Sequence, residues 1–169
     1  MDTYQAVASK RDWRRYAERA IPDEVVGRVL DAGRLAGSAV NRQPWRFIVV
    51  EDASRREALA ESVYTADNVR GAALVVAIAT PEGKSPLDVG RCMQNMMLVA
   101  WNDGVASCPN GLPDPRAAAE LLGLEGDLVP VTVLSFGYPR RPQDPRARSP
   151  QEWSHEANRK PLSELVQRM

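Results

Sequence analysis

At 169 residues the chain suits one domain, long enough to bury about two-thirds of its unfolded surface. Apolar residues make up 44% and charged residues 26%, which excludes a disordered chain. The 22 basic side chains balance 22 acidic ones, so no global field draws the protein to nucleic acid or to a membrane.

Two cysteines, Cys92 and Cys108, are not closely spaced, and the single histidine, His155, cannot complete a zinc site with them. They read as free thiols in a reducing compartment. The first sixteen residues lack the apolar core of a signal peptide. The longest apolar run, 72–79, is far short of a membrane span. A cytoplasmic protein is expected.

Residues 3–10 form a short helix leading into the basic cluster Lys10, Arg11, Arg14 and Arg15. A second helix starts at Pro22, with Asp23 and Glu24 suiting its N-terminus and Val25, Val26, Val29 and Leu30 on one face. Gly33 and Gly37 loosen its end. Residues 45–51 read as a strand from Phe47, Ile48, Val49 and Val50. The pattern Ser54-Arg55-Arg56-Glu57 is a capping box opening a third helix. The run 72–79 reads as a central strand covered on both faces, followed by a loop over 80–86. Residues 87–103 form the longest helix, stopped by Gly104. Asp114-Pro115 starts a short helix ending near Gly123, and 129–136 is a further strand. From Tyr138 onward the Pro- and Arg-rich chain reads as an extended arm without a core of its own, which suggests a partner subunit. A doubly wound parallel sheet and an α+β sandwich both fit this order.

Four segments carry candidate chemistry. The cations of Lys10 to Arg15 match the geometry of a phosphate, although Asp12 repels an anion. Gly37-Ser38-Ala39-Val40-Asn41-Arg42-Gln43-Pro44-Trp45 combines small residues, which let backbone approach a ligand, with neutral donors and acceptors. Pro44 biases Gln43 toward extended geometry. Arg159 and Lys160 supply a second pair of cations. Residues 104–111 read as a turn-rich loop of the kind that lines sites. Alone, each also reads as a solvated face or a polar turn. Cys108 has no evident base beside it and His155 lies in the tail, so neither is assigned catalysis. The sequence holds no phosphate loop, dinucleotide fingerprint or nucleophile elbow.

In order, these segments resemble the nitroreductase family of FMN enzymes, from Lys10 to about Val166. K-R-D-W-R-R-Y resembles the family's R-R-S-x-R-x-F. G-S-A-V-N-R-Q-P-W-R-F resembles A-P-S-x-x-N-x-Q-P-W-x-F, the most specific match. Asp88-Val89-Gly90 through Gln94-Asn95 to Gly104 resembles the long central helix of compact members. Gly137-Tyr138-Pro139 and Arg159-Lys160-Pro161-Leu162 resemble the closing motifs. The resemblance implies an α+β fold, an α/β/α sandwich with a mainly antiparallel sheet. It also implies a homodimer with two FMN sites at its interface, and an arm over 138–169 that packs on the partner. Lys10, Arg11 and Arg14 would hold the FMN phosphate with Arg159 and Lys160, Asp12 lying among them. Ser38, Asn41 and Gln43 would reach the partner's FMN, and Pro109, Asn110 and Gly111 would lie along the ring. The implied reaction is ping-pong: NADH or NADPH reduces the flavin at N5, and a nitroaromatic, quinone or similar acceptor takes the electrons. The flavin carries the chemistry, so no side chain is assigned as catalytic.

Asp12 stands where the family has serine. In this it resembles the branch that fragments reduced FMN with oxygen to make the lower ligand of cobalamin, whereas Asn41 departs from that branch. Gly37 and Ala73 replace family prolines, and the substrate-covering insertions of longer members are missing. A non-catalytic flavin- or deazaflavin-binding module is the other alternative.

Overall fold

A computed structural model describes residues 1–83 and 86–169. Residues 84 and 85, within the expected 80–86 loop, lie outside the described residues. The elements are helix α1 (Thr3–Ser9), α2 (Asp23–Arg34), strand β1 (Arg46–Val49), α3 (Ala53–Glu61), α4 (Ala66–Arg70), β2 (Leu74–Pro81), α5 (Pro86–Asn102), β3 (Ala106–Asn110), α6 (Pro115–Leu122), β4 (Leu128–Gly137), α7 (Pro150–Glu156) and α8 (Leu162–Leu165). The strands form one sheet in the order β1-β2-β4-β3, with every neighbour antiparallel.

The sheet is covered on both faces, and β2 shows why its sequence is continuously apolar. Side chains alternate across a strand. Leu74, Val76 and Ile78 join a core with Val25 and Val29 of α2 and Met96 of α5. Val75 and Ala77 join a second core with Leu59 of α3, Val69 of α4 and Leu122 of α6. The result is an α/β/α sandwich of the α+β class, and the sheet is antiparallel, not doubly wound.

Local signals explain most boundaries. Asp114 caps α6 through the Arg116 and Ala117 N–H groups, and Gly123 ends that helix at φ +68°. Gly33 sits where α2 crosses α5. A Cβ there would meet Met96 Sδ and Phe47 Cζ at 2.9 Å, so its role is close packing rather than loosening.

Several expectations are corrected. Helix α2 begins at Asp23, with Pro22 as its N-cap. Helix α3 is capped by Asp52, whose carboxylate accepts from Arg55 N–H at 2.8 Å and from the Ser54 hydroxyl at 2.6 Å. Ser54 therefore lies inside the helix, and the capping box occurs at Ser149 and Glu152 of α7. Helix α4 was not anticipated. The expected loop over 104–111 is mostly strand β3, because Gly104 at φ +76° ends the α5 turn and returns the chain to the sheet edge. The segment after Tyr138 is not all extended: α7 packs on α1 of its own chain, with Trp153 buried. No helix among the described residues is long and apolar enough to cross a membrane.

Candidate functional site

The basic residues lie on the chain between α1 and α2, where it crosses the free edge of β3. Lys10 leaves α1 with extended geometry. Asp12 pairs with Ser107 in an isolated parallel bridge, and Trp13 N–H donates to Ser107 O at 3.1 Å. Tyr16 then bridges to Pro139 beyond β4. Extended backbone sends alternate side chains to opposite sides, and the cations divide accordingly. Lys10, Asp12 and Arg14 surround Cys108. Arg11 and Trp13 point toward α7 and share a cavity with Arg159.

On the Cys108 side, Lys10 Nζ is ion-paired with Asp12 and lies 3.3 Å from Met97 Sδ of α5. Arg14, Arg15, Tyr16, Asn68 and Arg140 border a cleft of about 380 Å³. Burial pushes the Cys108 thiol up, the Asp12 carboxylate adds to this, and Arg14 and Lys10 offset part of it. A thiol held neutral is a weak nucleophile. Burial alone pushes the Cys92 thiol up to about 12.

Beneath this cleft lies a buried polar network. Asn110 Nδ2 donates to Cys108 O at 3.1 Å, Val133 O at 2.9 Å and Ser135 Oγ at 3.1 Å. Asn110 Oδ1 accepts from Asn68 Nδ2 at 2.8 Å. The Tyr16 hydroxyl donates to Trp13 O at 2.7 Å and lies 3.0 Å from Ser135 Oγ. The Asn110 side chain is thus spent on the protein, leaving backbone to face a ligand. Asn68 Oδ1, by contrast, is buried with no donor among the described residues, and a buried acceptor left unpaired is costly. Pro109 is half-buried and Gly111 exposed. A Cβ at Gly111 would meet the exposed Tyr64 ring at 3.1 Å.

Arg11 is also committed within the chain. Its Nη1 donates to Ala8 O at 2.7 Å and Lys10 O at 2.9 Å, and its Nη2 to Trp153 O at 2.6 Å. Burial and the neighbouring Arg159 both lower its pKa. Arg159 is exposed, and Lys160 lies 3.9 Å from Glu164.

The segment from Ser38 to Gln43 lies elsewhere. Ala39 to Asn41 form a 3-10 turn at the N-terminal part of α5, where Ala39 N–H donates to Asp88 Oδ2 at 3.4 Å. Arg91 covers Gly37 so closely that a Cβ there would lie 2.5 Å from Nη2. Val40, Asn41 and Gln43 all have left-handed backbone, at φ 48°, 54° and 48°. The extended geometry expected of Gln43 before Pro44 is therefore not adopted. Its N–H donates instead to Ser38 Oγ at 2.8 Å, which folds the loop back on itself. Asp88 and Met97 mark where this loop and Lys10 meet α5. Nine residues of helix separate them, about 13 Å. Within one chain the two halves of the expected site stay apart.

The structure adds Asn68, Tyr16 and Ser135 to the site. Nothing in the sequence separates Asn68 from other asparagines; only the placement of α4 against β3 does. No group of His, Cys, Asp or Glu among the described residues is arranged to hold a metal.

Fold and cleft together define a helix-covered antiparallel sandwich with a cluster of basic side chains at the sheet edge. A model of the Nitroreductase family matches residues 7–81 and 62–138. A protein of Archaeoglobus fulgidus, provisionally named NADH dehydrogenase/NAD(P)H nitroreductase, is 33% identical over 149 residues, covering 82% of this chain and 86% of that one. Among solved structures, a provisionally named nitroreductase from Desulfovibrio desulfuricans in complex with FMN superposes with a TM-score of 0.82 at 26% identity, covering 100% of this chain and 98% of that one. A nitroreductase family protein from Clostridium difficile gives 0.80 at 27% identity, covering 99% and 98%. The chain belongs to the nitroreductase family.

Proposed function

We propose that this chain is an FMN-dependent oxidoreductase that passes electrons from NADH or NADPH to a nitroaromatic, quinone or similar acceptor. The observation that carries the reading is the unpaired Asn68 Oδ1, buried in a cleft that Arg14 also borders. An imide N–H satisfies that oxygen and a phosphate satisfies the cation, and FMN has both. The complex of the Desulfovibrio desulfuricans relative with FMN supports the assignment, as does the name of the Archaeoglobus fulgidus relative.

When bound, FMN supplies the two-electron chemistry. The chain's own residues bind and orient. Arg14 and Lys10 hold the phosphate; Asp12, paired with Lys10, sets the position of that ammonium group. Asn68 fixes the ring edge, and the Pro109 to Gly111 backbone lies along it. Arg11, tied to three carbonyls, anchors the segment. Because the loop Ser38–Gln43 is about 13 Å along α5 from Lys10, it serves the flavin of a second copy, and the active unit is a homodimer. The exposed Leu162, Leu165 and Val166 pack on that copy. A reducing, cytoplasmic setting suits the two free thiols.

The test is reconstitution with excess FMN, desalting and a visible spectrum, followed by anaerobic addition of NADH or NADPH. A yellow protein that bleaches supports the proposal. A colourless protein overturns it, and a yellow protein that neither donor bleaches points to a binding module.

A further inference from the structure

On the FMN reading above, in which the loop Ser38–Gln43 serves the flavin of a second copy, we infer that Asp88 of α5 is the residue that positions this loop. The loop's shape needs an external hold. Val40, Asn41 and Gln43 have left-handed backbone without being glycine, and such geometry persists only where the surroundings over-determine it. Ala36 and Trp45 anchor the two flanks in the core, but every residue from Ala39 to Gln43 is exposed, so none of these side chains packs the loop down. Its internal bonds, from Gln43 N–H to Ser38 Oγ at 2.8 Å and from Asn41 N–H to Ser38 O at 3.0 Å, close the loop without fastening it to another element. Among the described residues, the one hydrogen bond that ties 38–43 to another element runs from Ala39 N–H to Asp88 Oδ2.

Asp88 is only 6% exposed, which is rare for a carboxylate. The first turn of a helix suits an anion, but this one also turns both oxygens to the loop's side. Oδ2 accepts from Ala39 at 3.4 Å, and Oδ1 lies 3.9 Å from Nη1 of Arg91, three residues on along the same face of α5. Arg91 in turn covers Gly37, where a Cβ would lie 2.5 Å from Nη2. The pair therefore grips the entry of the loop at two points: the N–H of residue 39 and the bare backbone of residue 37. Because Met97 of α5 lies against Lys10, one helix sets the loop for the partner's flavin and the ammonium group for its own. Asp88, being buried, acts through the loop.

The test titrates FMN into mixed dimers, made by co-expressing two differently tagged chains and purifying through both tags. Each site takes Arg14 from one chain and the loop from the other. In the homodimer, Asp88→Ala should weaken FMN about tenfold. With Arg14→Ala on one chain and Asp88→Ala on the other, both deficits fall on the same site, and one site per dimer should bind FMN with wild-type affinity. With both substitutions on one chain and a wild-type partner, each site carries one deficit, and neither should bind with wild-type affinity. Arg14→Ala opposite Asn41→Ala is the control for the shared site and should also leave one intact site. Should Asp88→Ala give no folded dimer, Asp88→Asn, of nearly the same size, takes its place and should give the same pattern with a smaller loss. Undiminished FMN affinity in the Asp88 homodimer overturns the assignment. An intact site with both substitutions on one chain also overturns it, because it places the effect of Asp88 within its own chain. With the control intact, no wild-type site in either arrangement marks a general structural loss and overturns it too. A control that leaves no intact site overturns the shared-flavin reading itself, and the role of Asp88 with it.

Discussion

Asn68 of α4 donates its amide to Asn110 Oδ1 at the end of β3, at 2.8 Å, and leaves its own oxygen unpaired. One residue thereby joins the outer helices to the sheet edge and presents an acceptor in the cleft. Asn110 completes the arrangement by making three further donations below. Replacing Asn110 with Ala would strand the Asn68 amide and several acceptors at once. The expected loss is about 2–4 kcal/mol, read from urea unfolding. A change below 0.5 kcal/mol, the size of an ordinary surface substitution, would show that the network contributes little.

Arg11 and Arg14, three residues apart, should separate in experiment. Arg11→Ala removes three bonds to backbone carbonyls and should lower stability by about 1–3 kcal/mol. Its FMN affinity should stay near wild type. If FMN binding weakens while the apoprotein melts normally, Arg11 is a phosphate ligand after all.

Arg14→Ala should do the reverse. Loss of a charge-assisted contact to the phosphate is expected to weaken FMN about tenfold or more, measured by quenching of flavin fluorescence, with little effect on the apoprotein. Equal affinity would remove Arg14 from the site.

Sequence patterns gave the elements that obey local rules. The continuous apolar run of β2, the caps of α6 and the stop at Gly104 were all legible because each depends on residues within a few positions. The division of the basic cluster was not. Whether Arg11 or Arg14 faces the cleft depends on Asp12 pairing with Ser107, ninety-five positions away. The same holds for β3, whose Pro109 and Asn110 read as turn residues until β4 pairs with them. Ser38, Asn41 and Gln43 were found as one loop, but the left-handed backbone of Val40, Asn41 and Gln43 was hidden, and at Gln43 the following Pro44 argued for extended geometry.

Val40 offers a direct measure of that loop's strain. It is a β-branched residue at φ 48° and is 87% exposed, so its side chain has little packing to lose. Val40→Gly should raise stability by about 1 kcal/mol. A lower melting temperature would mean that unfolded-state entropy outweighs the strain.

Cys92 should make the protein alkali-sensitive. Burial raises its thiol from an ordinary 9.0 to about 12. Unfolded chains release that proton first, so the stabilisation is complete below pH 9 and declines as pH rises toward 12. Cys92→Ala should flatten this decline in pH-dependent urea melts. An unchanged slope would assign the effect to other groups.

The hydrogen bond from Arg11 to Trp153 closes a loop of 142 positions. During synthesis, residues 10–14 can pair with Ser107 as soon as β3 has formed, but Arg11 gains its last partner only after Trp153 has followed. A nascent chain stopped in α6 would hold only the β1–β2 pair, because β3 joins the sheet through β4, whereas one stopped after β4 would hold all four strands. Products truncated between β4 and α7 should therefore emerge with a complete sheet but with Arg11 short of one partner, and should melt at a lower temperature than the full chain.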